Sequence, residues 1–241
     1  MKSYFIKNGY ALNLKDDGTR VFQYTDVPKD VIFQVECYKY AASVIKENNL
    51  ESCLELGSGA GFKLNRYIRP VCDDLYGLDL PHATAYCEKL YKDIKWISDD
   101  FDYNQPAINK KFDLIISFDV IEHLIYPENL LDKIKSYSHA NTRILISTPE
   151  RDLVRGKDHF GPAPNEKHVR EWNQDELARF LEFEGLHINK HLILEAKKLS
   201  LRLKFATWRR GIITKTCQLV DCTLSNTGHS NSTNLQTEAT D

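Results

Sequence analysis

A glycine-rich turn follows directly on a short apolar run near the start of the chain. Residues 53–61 read Cys-Leu-Glu-Leu-Gly-Ser-Gly-Ala-Gly, which predicts a buried strand, a tight turn and the first turn of a helix. Gly57 and Gly59 tolerate positive φ angles and let a ligand approach the backbone where a Cβ would block it. Asp79 ends the next apolar run, where a carboxylate can accept hydrogen bonds from ribose hydroxyls. The pattern predicts a nucleotide-type cofactor at the ends of two neighbouring strands.

The spacing of the turn separates two kinds of cofactor. A dinucleotide fold needs G-x-G-x-x-G, with a helix N-terminus aimed at a pyrophosphate. Here Glu55 precedes G-x-G-x-G, and the third dinucleotide glycine is missing. Because a carboxylate repels a diphosphate and attracts a cation, Glu55 favours the cationic methionyl half of S-adenosylmethionine. A nicotinamide oxidoreductase is the less favoured alternative.

Two histidines are candidates for removing a proton from an acceptor. His123 follows the fourth apolar run, where the substrate cleft of an open α/β sheet is expected. Because the ordinary pKa of histidine lies near neutrality, the side chain suits the removal of a hydroxyl proton. His168 lies in a long loop beside Arg170 and Glu171 and is the alternative base or a substrate ligand. Each has a structural alternative, since His123 can anchor a helix or loop and His168 can hold its own loop together with Trp172.

Charged residues after the fourth and fifth apolar runs are further candidates. The acidic members are Asp119, Glu122, Glu150 and Asp152. They could orient His123, a catalytic role that we assign to Asp119, or bind acceptor hydroxyls, or hold a divalent metal with His159. Because no firm ligand spacing is present, we predict no metal. The predicted substrate-binding residues are Glu150, Arg151, Asp152, His168 and Arg170. Arg151 and Arg155 suit a phosphate on the acceptor, and solvated surface charge is the alternative for the whole group.

Alternating strands and helices must position these residues. Apolar runs occur at residues 53–56, 75–80, 94–97, 112–118 and 144–147, and helical stretches lie between them at 61–71, 82–92 and 127–138. This alternation predicts right-handed βαβ crossovers and a mostly parallel sheet with helices on both faces. A long loop over 149–170 is expected to be functional. A capped helix over 173–185 and two β-like runs, near 187–194 and 212–222, complete the pattern.

Composition and charge limit the class of protein. The chain has 241 residues, of which 42% are hydrophobic and 27% charged, as in soluble globular proteins. A formal net charge of -2 gives no electrostatic argument for a nucleic-acid partner. The chain contains neither an apolar run of about 20 residues nor a secretory signal, so we expect no transmembrane segment and a cytoplasmic location. The six cysteines contain no C-x-x-C pair, and we expect them to be buried thiols.

The chain divides into three predicted regions. Residues 1–30 mix aromatic residues with turn formers and are expected to form a β-rich cap. Residues 31–222 form the α/β domain, and the Ser/Thr/Asn-rich residues 223–241 are expected to be a disordered tail. A basic stretch over 197–210 contains interleaved apolar residues and could make peripheral contact with an anionic membrane. An amphipathic helix that covers the sheet is the favoured alternative for that stretch.

Four segments resemble the successive motifs of the class I S-adenosylmethionine-dependent methyltransferases. They lie at residues 55–61, 77–79, 99–101 and 112–124, in the family's order and after successive predicted strands. The resemblance implies a Rossmann-like fold with a seven-stranded sheet, and S-adenosylmethionine as cofactor. The cofactor-binding residues that it implies are Glu55, Gly57, Ser58, Gly59, Gly61, Asp79, Leu80, Asp100, Phe101 and Asp119.

The same resemblance assigns a role to several of these residues. Glu55 and the glycines of the turn would line the methionine end of the cofactor, and Asp79 would bind the ribose. Asp100 would accept a hydrogen bond from the adenine amino group, and Phe101 would donate its backbone amide to the ring. The spacing Trp-x-x-x-Asp that ends at Asp100 favours this residue over Asp99.

A second resemblance is narrower and concerns the acceptor. Ser-Thr-Pro-Glu-Arg-Asp at 147–152, Gly-Pro at 161–162 and His-Val-Arg-Glu-Trp at 168–172 are similar to a bacterial methyltransferase group often associated with surface-glycan biosynthesis. This resemblance implies methylation of a sugar hydroxyl in a nucleotide-linked, lipid-linked or polymeric glycan. The alternatives are a small-molecule amine, carboxylate or phenol acceptor, and a non-catalytic protein that retains the cofactor site. The oligomeric state is not predicted.

Overall fold

The computed structural model describes residues 3–14, 33–101, 108–196 and 216–225. Within these ranges the chain forms seven strands, which are β1 (Ser52–Leu56), β2 (Asp74–Asp79), β3 (Lys95–Ser98), β4 (Phe112–Phe118), β5 (Ser138–Pro149), β6 (Leu186–Glu195) and β7 (Thr216–Leu224). The α-helices of the same ranges are α1 (Val35–Asn48), α2 (Pro81–Leu90), α3 (Pro127–Tyr137), α4 (Arg151–Arg155) and α5 (Gln174–Phe183). Shorter helical segments are a π-helix at Leu64–Ile68 and 3-10 turns at Arg69–Val71 and Ile121–His123.

The strands form one sheet in the order β3-β2-β1-β4-β5-β7-β6. Strands β1 to β5 pair in parallel, and β7 runs antiparallel to both of its neighbours. The prediction of a mostly parallel seven-stranded sheet is therefore confirmed, with β6 and β7 as an antiparallel hairpin at one edge. Strand β1 pairs with both β2 and β4, so the strand order reverses there. Open α/β sheets bind ligands at this point, outside the carboxyl ends of the strands.

Alternate residues of the central strands pack into two separate apolar clusters. Leu54 and Leu56 of β1 belong to a cluster that contains residues of α3 and α5. The intervening Cys53 belongs to a second cluster, which contains residues of α1. Side chains of a strand point alternately to the two sides of a sheet, so each strand contributes to both clusters. Burial of both sides explains why these strands read as continuous apolar runs.

Local capping signals place α5 where the sequence predicts a helix. The side chain of Asn173 accepts a hydrogen bond from the Glu176 amide at 2.9 Å, and the Glu176 carboxylate accepts one from the Asn173 amide at 3.2 Å. This reciprocal capping box satisfies two amides that a helix leaves unpaired at its N-terminus. Within the predicted loop over 149–170, α4 is a short helix that the sequence did not indicate.

The predicted terminal regions are only partly described. Residues 3–14 form turns and no strand, so the expected β-rich cap is not seen in this part. They are tied to the loop after β5, since the Ala11 amide donates to the Phe160 carbonyl at 2.8 Å. The predicted domain boundary after residue 222 falls inside β7, which continues to Leu224. The remainder of the cap, the basic stretch and residues 226–241 lie outside the described residues.

No helix in the described ranges has both the length and the apolar character of a membrane span.

Candidate functional site

The glycine turn after β1 lies against the end of β4. Gly57 has a φ of 80°, and its amide donates to the Leu78 carbonyl at 2.8 Å. A Cβ on Gly57 would lie 2.3 Å from Cγ2 of Val120, so both the backbone conformation and the space require glycine here. The turn therefore meets β2 on one side and the residues after β4 on the other.

Asp79 at the end of β2 is held by two backbone amides. Its Oδ2 accepts from the Gly59 amide at 2.8 Å, and its Oδ1 accepts from the Leu80 amide at 2.7 Å. Asp79 is 4% exposed, so its carboxylate is both desolvated and fixed in direction. Ser58 and Gly61, also predicted cofactor contacts, lie in the same turn, where the Gly61 amide donates to the Ser58 carbonyl at 3.0 Å. The turn and Asp79 thus form one rigid unit at the strand ends.

Glu55 places a carboxylate directly beneath this turn. The side chain is fully buried, and the Tyr38 hydroxyl of α1 donates a hydrogen bond to its Oε1. Its Oε2 is buried and has no hydrogen-bond partner within the described residues. Burial raises the pKa of Glu55 to about 7, and the nearby Asp79 adds to this, although the Tyr38 hydroxyl and Lys63 lower it. An unpaired buried carboxylate oxygen fits a cationic ligand group, as the predicted methionyl amine would supply.

The two aspartates after β3 have different surroundings. Oδ2 of Asp99 accepts from the Lys133 ammonium of α3 at 2.6 Å, and Lys133 is buried. Asp99 is thus engaged in an ion pair, whereas Asp100 presents its backbone carbonyl to the same ammonium at 3.0 Å. The assignment of Asp100 rather than Asp99 to the adenine stays a prediction. Phe101 is 8% exposed and packs in the cluster that contains α3 and α5.

The residues after β4 are tied to the end of β5. Asp119 has a φ of 55°, its amide donates to the Ser147 carbonyl at 2.9 Å, and its Oδ1 accepts from the Ser147 hydroxyl at 3.0 Å. Glu122 is fully buried, and its Oε2 accepts from the Thr148 hydroxyl at 2.9 Å. Burial, together with the charge of Asp119, raises the pKa of Glu122 well above its usual range. The segment after β4 therefore presents two carboxyl groups beside the glycine turn, and each is bound by a hydroxyl near the end of β5.

His123 and His168 lie against each other although 44 residues separate them along the chain. Their ring centroids are 4.8 Å apart with an interplanar angle of 86°. Nδ1 of His123 lies 2.9 Å from the Lys167 carbonyl oxygen, and Nδ1 of His168 lies 2.7 Å from Oε1 of Glu171. Burial tends to raise the pKa of Glu171, but hydrogen bonds from His168 and Arg155 lower it to about 2. The two candidate bases of the sequence therefore share one site.

Several predicted substrate ligands have structural partners instead. Arg151 is fully buried, and its guanidinium donates to Glu176 at 3.0 Å and to Asp152 at 2.9 Å. Arg170 is 1% exposed and donates to the Ile125 carbonyl at 2.9 Å. Both guanidinium groups therefore hold the loop on the domain, and a role of these two arginines in substrate binding stays a prediction.

Glu150 and Asp152 have comparable structural contacts. Glu150 is 4% exposed, and its carboxylate accepts from the Leu153 amide at 2.6 Å and the Gln174 amide at 3.2 Å. Asp152 accepts from the Asn173 side chain at 2.9 Å. Both carboxylates therefore connect α4 with the start of α5, and the predicted substrate ligand that contacts His123 is His168.

Sequence reasoning missed two polar partners of the site, Lys133 and Tyr38. Both belong to helices, and their helical spacing is that of core-facing residues, so nothing in the local sequence marks them as partners of Asp99 and Glu55. It also missed the approach of His168 to Glu122, which depends on how the loop after β5 returns to the sheet. The adjacent residues Glu122 and His123 are visible as a pair in the sequence, but the approach of His168 to this pair is not.

The sheet order, the glycine turn and Asp79 define a Rossmann-like cofactor-binding domain of the methyltransferase type. A family model described as "Methyltransferase domain" matches residues 13–191, about three quarters of the chain. The chain belongs to this methyltransferase family, and S-adenosylmethionine is its cofactor. No curated protein sequence matches the chain significantly.

Solved structures share the fold at low sequence identity. An S-adenosylmethionine-dependent methyltransferase from Clostridium acetobutylicum aligns with a TM-score of 0.58 at 15% identity, covering 78% of this chain and 90% of that chain. The N-methyltransferase NodS from Bradyrhizobium japonicum aligns with a TM-score of 0.51 at 16% identity, over 80% and 97% of the two chains. The [4+2]-cyclase SpnF aligns with a TM-score of 0.55 at 11% identity, over 78% and 81%. Since one of these proteins is a cyclase, the fold alone does not define the acceptor.

Proposed function

We propose that this methyltransferase transfers the methyl group to a hydroxyl of a sugar, in a nucleotide-linked, lipid-linked or polymeric glycan. The observation that carries the proposal is the pair His123 and His168 at the ends of β4 and β5. Their Nδ1 atoms face a carbonyl oxygen and a carboxylate oxygen, which can only accept from an N–H. In the neutral rings the lone pair is therefore on Nε2. A hydroxyl acceptor needs such a group, because the oxygen must lose its proton as it attacks.

The position of the pair relative to the cofactor turn supports this role. Val120 contacts the position where Gly57 lacks a side chain, and the His123 amide donates to the Val120 carbonyl at 2.9 Å. His123 thus lies three residues after Val120, the residue that packs against the glycine turn at Gly57. His123 is half-buried, whereas His168 is 8% exposed. We therefore assign the proton-accepting role to His123 and the orienting role to His168.

When bound, S-adenosylmethionine supplies a methyl group activated by its sulfonium centre. The acceptor oxygen would bond to the methyl carbon in place of sulfur, which would keep the electron pair of the carbon–sulfur bond. Nε2 of His123 takes the hydroxyl proton, leaving a methyl ether, S-adenosylhomocysteine and an imidazolium. The Lys167 carbonyl, which accepts from Nδ1 of His123, holds the ring in the required tautomer. Alignment of the acceptor oxygen with the carbon–sulfur bond supplies much of the rate.

The choice of a sugar is supported by the motif resemblance over residues 147–172. The structure gives these residues a shared location, since Ser147 and Thr148 bind Asp119 and Glu122 while His168 contacts His123. Carboxylates and imidazoles that converge at strand ends suit an acceptor with several hydroxyls.

The experiment is an acceptor screen with labelled S-adenosylmethionine and three pools: nucleotide sugars and oligosaccharides, small amines, and small carboxylates with phenols. We expect labelled product in the sugar pool, with the mass increase of one methyl ether. His123→Ala should lower the turnover of that product by about 10²- to 10⁴-fold and leave S-adenosylhomocysteine affinity nearly unchanged. His187→Ala, on the exposed face of β6, is the matched control.

Each other outcome contradicts a specific part of the proposal. Label only in the amine pool, or only in the carboxylate and phenol pool, would reassign the acceptor. Unchanged turnover in His123→Ala would remove this residue from the chemistry. Cofactor binding without transfer to any pool would favour a protein that retains the cofactor site without catalysis.

We also infer that helices cover both faces of the sheet and that the protein works in the cytoplasm. The first inference is supported by the two apolar clusters, one with residues of α1 and the other with residues of α3 and α5. The second is supported by Cys37 and Cys217, which are free thiols whose sulfur atoms lie 3.6 Å apart. A reducing compartment would keep such a pair from forming a disulfide.

A further inference from the structure

Three metal-ligating side chains converge at the ends of β4 and β5. Glu122, His123 and His168 each offer an oxygen or nitrogen atom, and these atoms lie within 4.8 Å of one another. Metal–ligand distances of about 2.0–2.2 Å place two ligands of one ion at most about 4.4 Å apart. At tetrahedral angles the same bond lengths put ligands about 3.3–3.6 Å apart, so side-chain movements of about an ångström would bring the three groups around a single ion.

The hydrogen bonds of the two imidazoles prepare them as ligands. Nδ1 of His123 donates to the Lys167 carbonyl oxygen at 2.9 Å, and Nδ1 of His168 donates to the Glu171 carboxylate at 2.7 Å. Both bonds place the Nε2 lone pair on the opposite side of the ring. Histidines that bind metals characteristically donate their other nitrogen to a carbonyl or carboxylate in this way, which fixes the tautomer and raises the basicity of the ligand atom.

The third ligand is a buried carboxylate that is only half satisfied. Glu122 is fully buried, and its Oε2 accepts from the Thr148 hydroxyl at 2.9 Å. Its Oε1 is inaccessible to solvent, and the described part of the chain offers it no hydrogen-bond donor. A buried carboxylate oxygen without a partner is costly, and a cation at this position would compensate it. This observation is independent of the histidine geometry, and it concerns one of the three residues of the same cluster.

We propose that Glu122, His123 and His168 bind one divalent transition-metal ion. Two imidazole nitrogens and one carboxylate oxygen suit Zn²⁺, Mn²⁺ or Fe²⁺ better than Mg²⁺ or Ca²⁺, which prefer all-oxygen sites. Three protein ligands leave at least one coordination position open, as in catalytic rather than structural metal sites. The prediction of no metal rested on the lack of a firm ligand spacing among Asp119, Glu122, Glu150, Asp152 and His159, a set that did not include His168.

The role of the ion rests on the proposed function, although its binding does not. An acceptor hydroxyl at the open position would have its pKa lowered by the ion, so that its proton leaves to solvent water. The oxygen then forms the bond to the methyl carbon, and the carbon–sulfur electron pair stays on sulfur as before. When the ion is bound, Nε2 of His123 is a metal ligand and does not take the hydroxyl proton. The ion then activates the hydroxyl in its place.

The test measures metal binding to the full chain and does not depend on activity. The protein is stripped with a chelator, dialysed, and titrated with Zn²⁺ and with Mn²⁺ by calorimetry, and Mn²⁺ binding is followed by electron paramagnetic resonance. We expect one equivalent of ion per chain. Glu122→Gln keeps the side-chain volume and an acceptor for Thr148, and it should weaken binding at least tenfold, as should His168→Gln. Glu88→Gln and His187→Ala, both at exposed positions, should bind like the wild type.

S-adenosylhomocysteine affinity, measured on the same samples, separates loss of the ion site from loss of the fold. Absence of stoichiometric binding to the wild type, or binding that persists in both Glu122→Gln and His168→Gln, would overturn the proposal. An ion that binds as expected while no sugar is methylated would contradict the proposed acceptor and leave the metal site standing. Sugar methylation at full rate by the stripped protein would support His123 as the base and overturn the catalytic role of the ion.

Discussion

The two sides of the sheet's switch point, the proposed cofactor side and the proposed acceptor side, are built in different ways. On the proposed cofactor side, β1 and β2 present a glycine turn whose amides bond to Leu78 and Asp79 at the end of β2. On the acceptor side, β4 and β5 present side chains, and the loop after β5 returns to complete the set. On the proposed cofactor side, contacts join residues of neighbouring segments, as in the hydrogen bond from the Gly59 amide to Asp79, 20 residues further along the chain. The acceptor side brings His168 to His123 from a distant part of the chain.

This difference implies different requirements for stability. The cofactor turn depends on backbone conformation and on glycine at Gly57, where a Cβ has no room. The acceptor side depends on buried ion pairs that hold its loop, such as Arg151 with Glu176 and Arg155 with Glu171. A mutation on the cofactor side should therefore act mainly on ligand affinity. A mutation in the ion pairs of the loop should act mainly on folding.

The largest expected effect on this side concerns Arg151. Arg151→Met removes the positive partner of Glu176, which is 3% exposed, and leaves an uncompensated buried carboxylate. Loss of one partner of a buried pair costs about 3–5 kcal/mol, which corresponds to a decrease in Tm of about 6–20 °C for a domain of this size. Thermal unfolding with and without S-adenosylhomocysteine measures it. The exposed Arg179→Met of α5 is the control and should leave Tm nearly unchanged. A stable Arg151→Met protein that had lost only acceptor binding would show that the original substrate-binding prediction was right.

An intermediate effect is expected at the ribose position. Asp79→Asn keeps the size of the side chain but replaces a charged acceptor of the Gly59 and Leu80 amides with a neutral one. Hydrogen bonds to charged groups contribute about 1.5–3 kcal/mol. Weaker hydrogen bonds from the ribose hydroxyls, the predicted ligands of Asp79, should therefore lower S-adenosylhomocysteine affinity about 10- to 100-fold. Calorimetric titration measures the loss, and Asp73→Asn, at an exposed position beside β2, is the control. Unchanged affinity would mean that Asp79 only shapes the turn.

The smallest predicted effect is a pH dependence of cofactor affinity caused by Glu55. With a pKa of about 7 in the free protein, Glu55 is largely protonated at pH 6 and largely ionised at pH 7.5. Because a cationic ligand group favours the ionised carboxylate, affinity should rise about tenfold over this interval. The groups that face Glu55 are Tyr38, Lys63 and Asp79. Calorimetry at both pH values tests the trend.

The matched variant for this trend is Glu55→Gln, which should bind the cofactor weakly and with the same affinity at both pH values. Glu55 affects the stability of the ligand-free protein in the opposite direction, since this stability should fall as pH rises. The folded protein holds a proton that the unfolded chain releases above its ordinary pKa of about 4.5, so this group makes the ligand-free protein less stable as pH rises from about 4.5 to 7. A pH-independent affinity in the wild type would show that Glu55 stays protonated when the cofactor binds.

Most of the sheet and the whole glycine turn could be predicted from local patterns. The apolar runs of β1 to β4 match the observed strands to within one or two residues, because strands buried on both sides must be apolar throughout. Gly57 and Asp79 were recognisable because the chemistry of a cofactor turn requires particular residue types directly at the ends of two successive strands. The Asn173 cap of α5 was recognisable for the same reason, since a helix end leaves nearby amides unpaired.

The acceptor side was decided by tertiary contacts that no local pattern encodes. Arg151 and Arg170 have the composition of surface ligands, yet the loop folds back and buries both against the domain. The meeting of Glu122, His123 and His168 depends on the return of that loop, with the Val169 amide bound to the Glu122 carbonyl at 2.7 Å. Residue types and short spacings identify groups whose partners lie in the same turn. Groups whose partners lie far along the chain acquire their role only when packing brings the segments together.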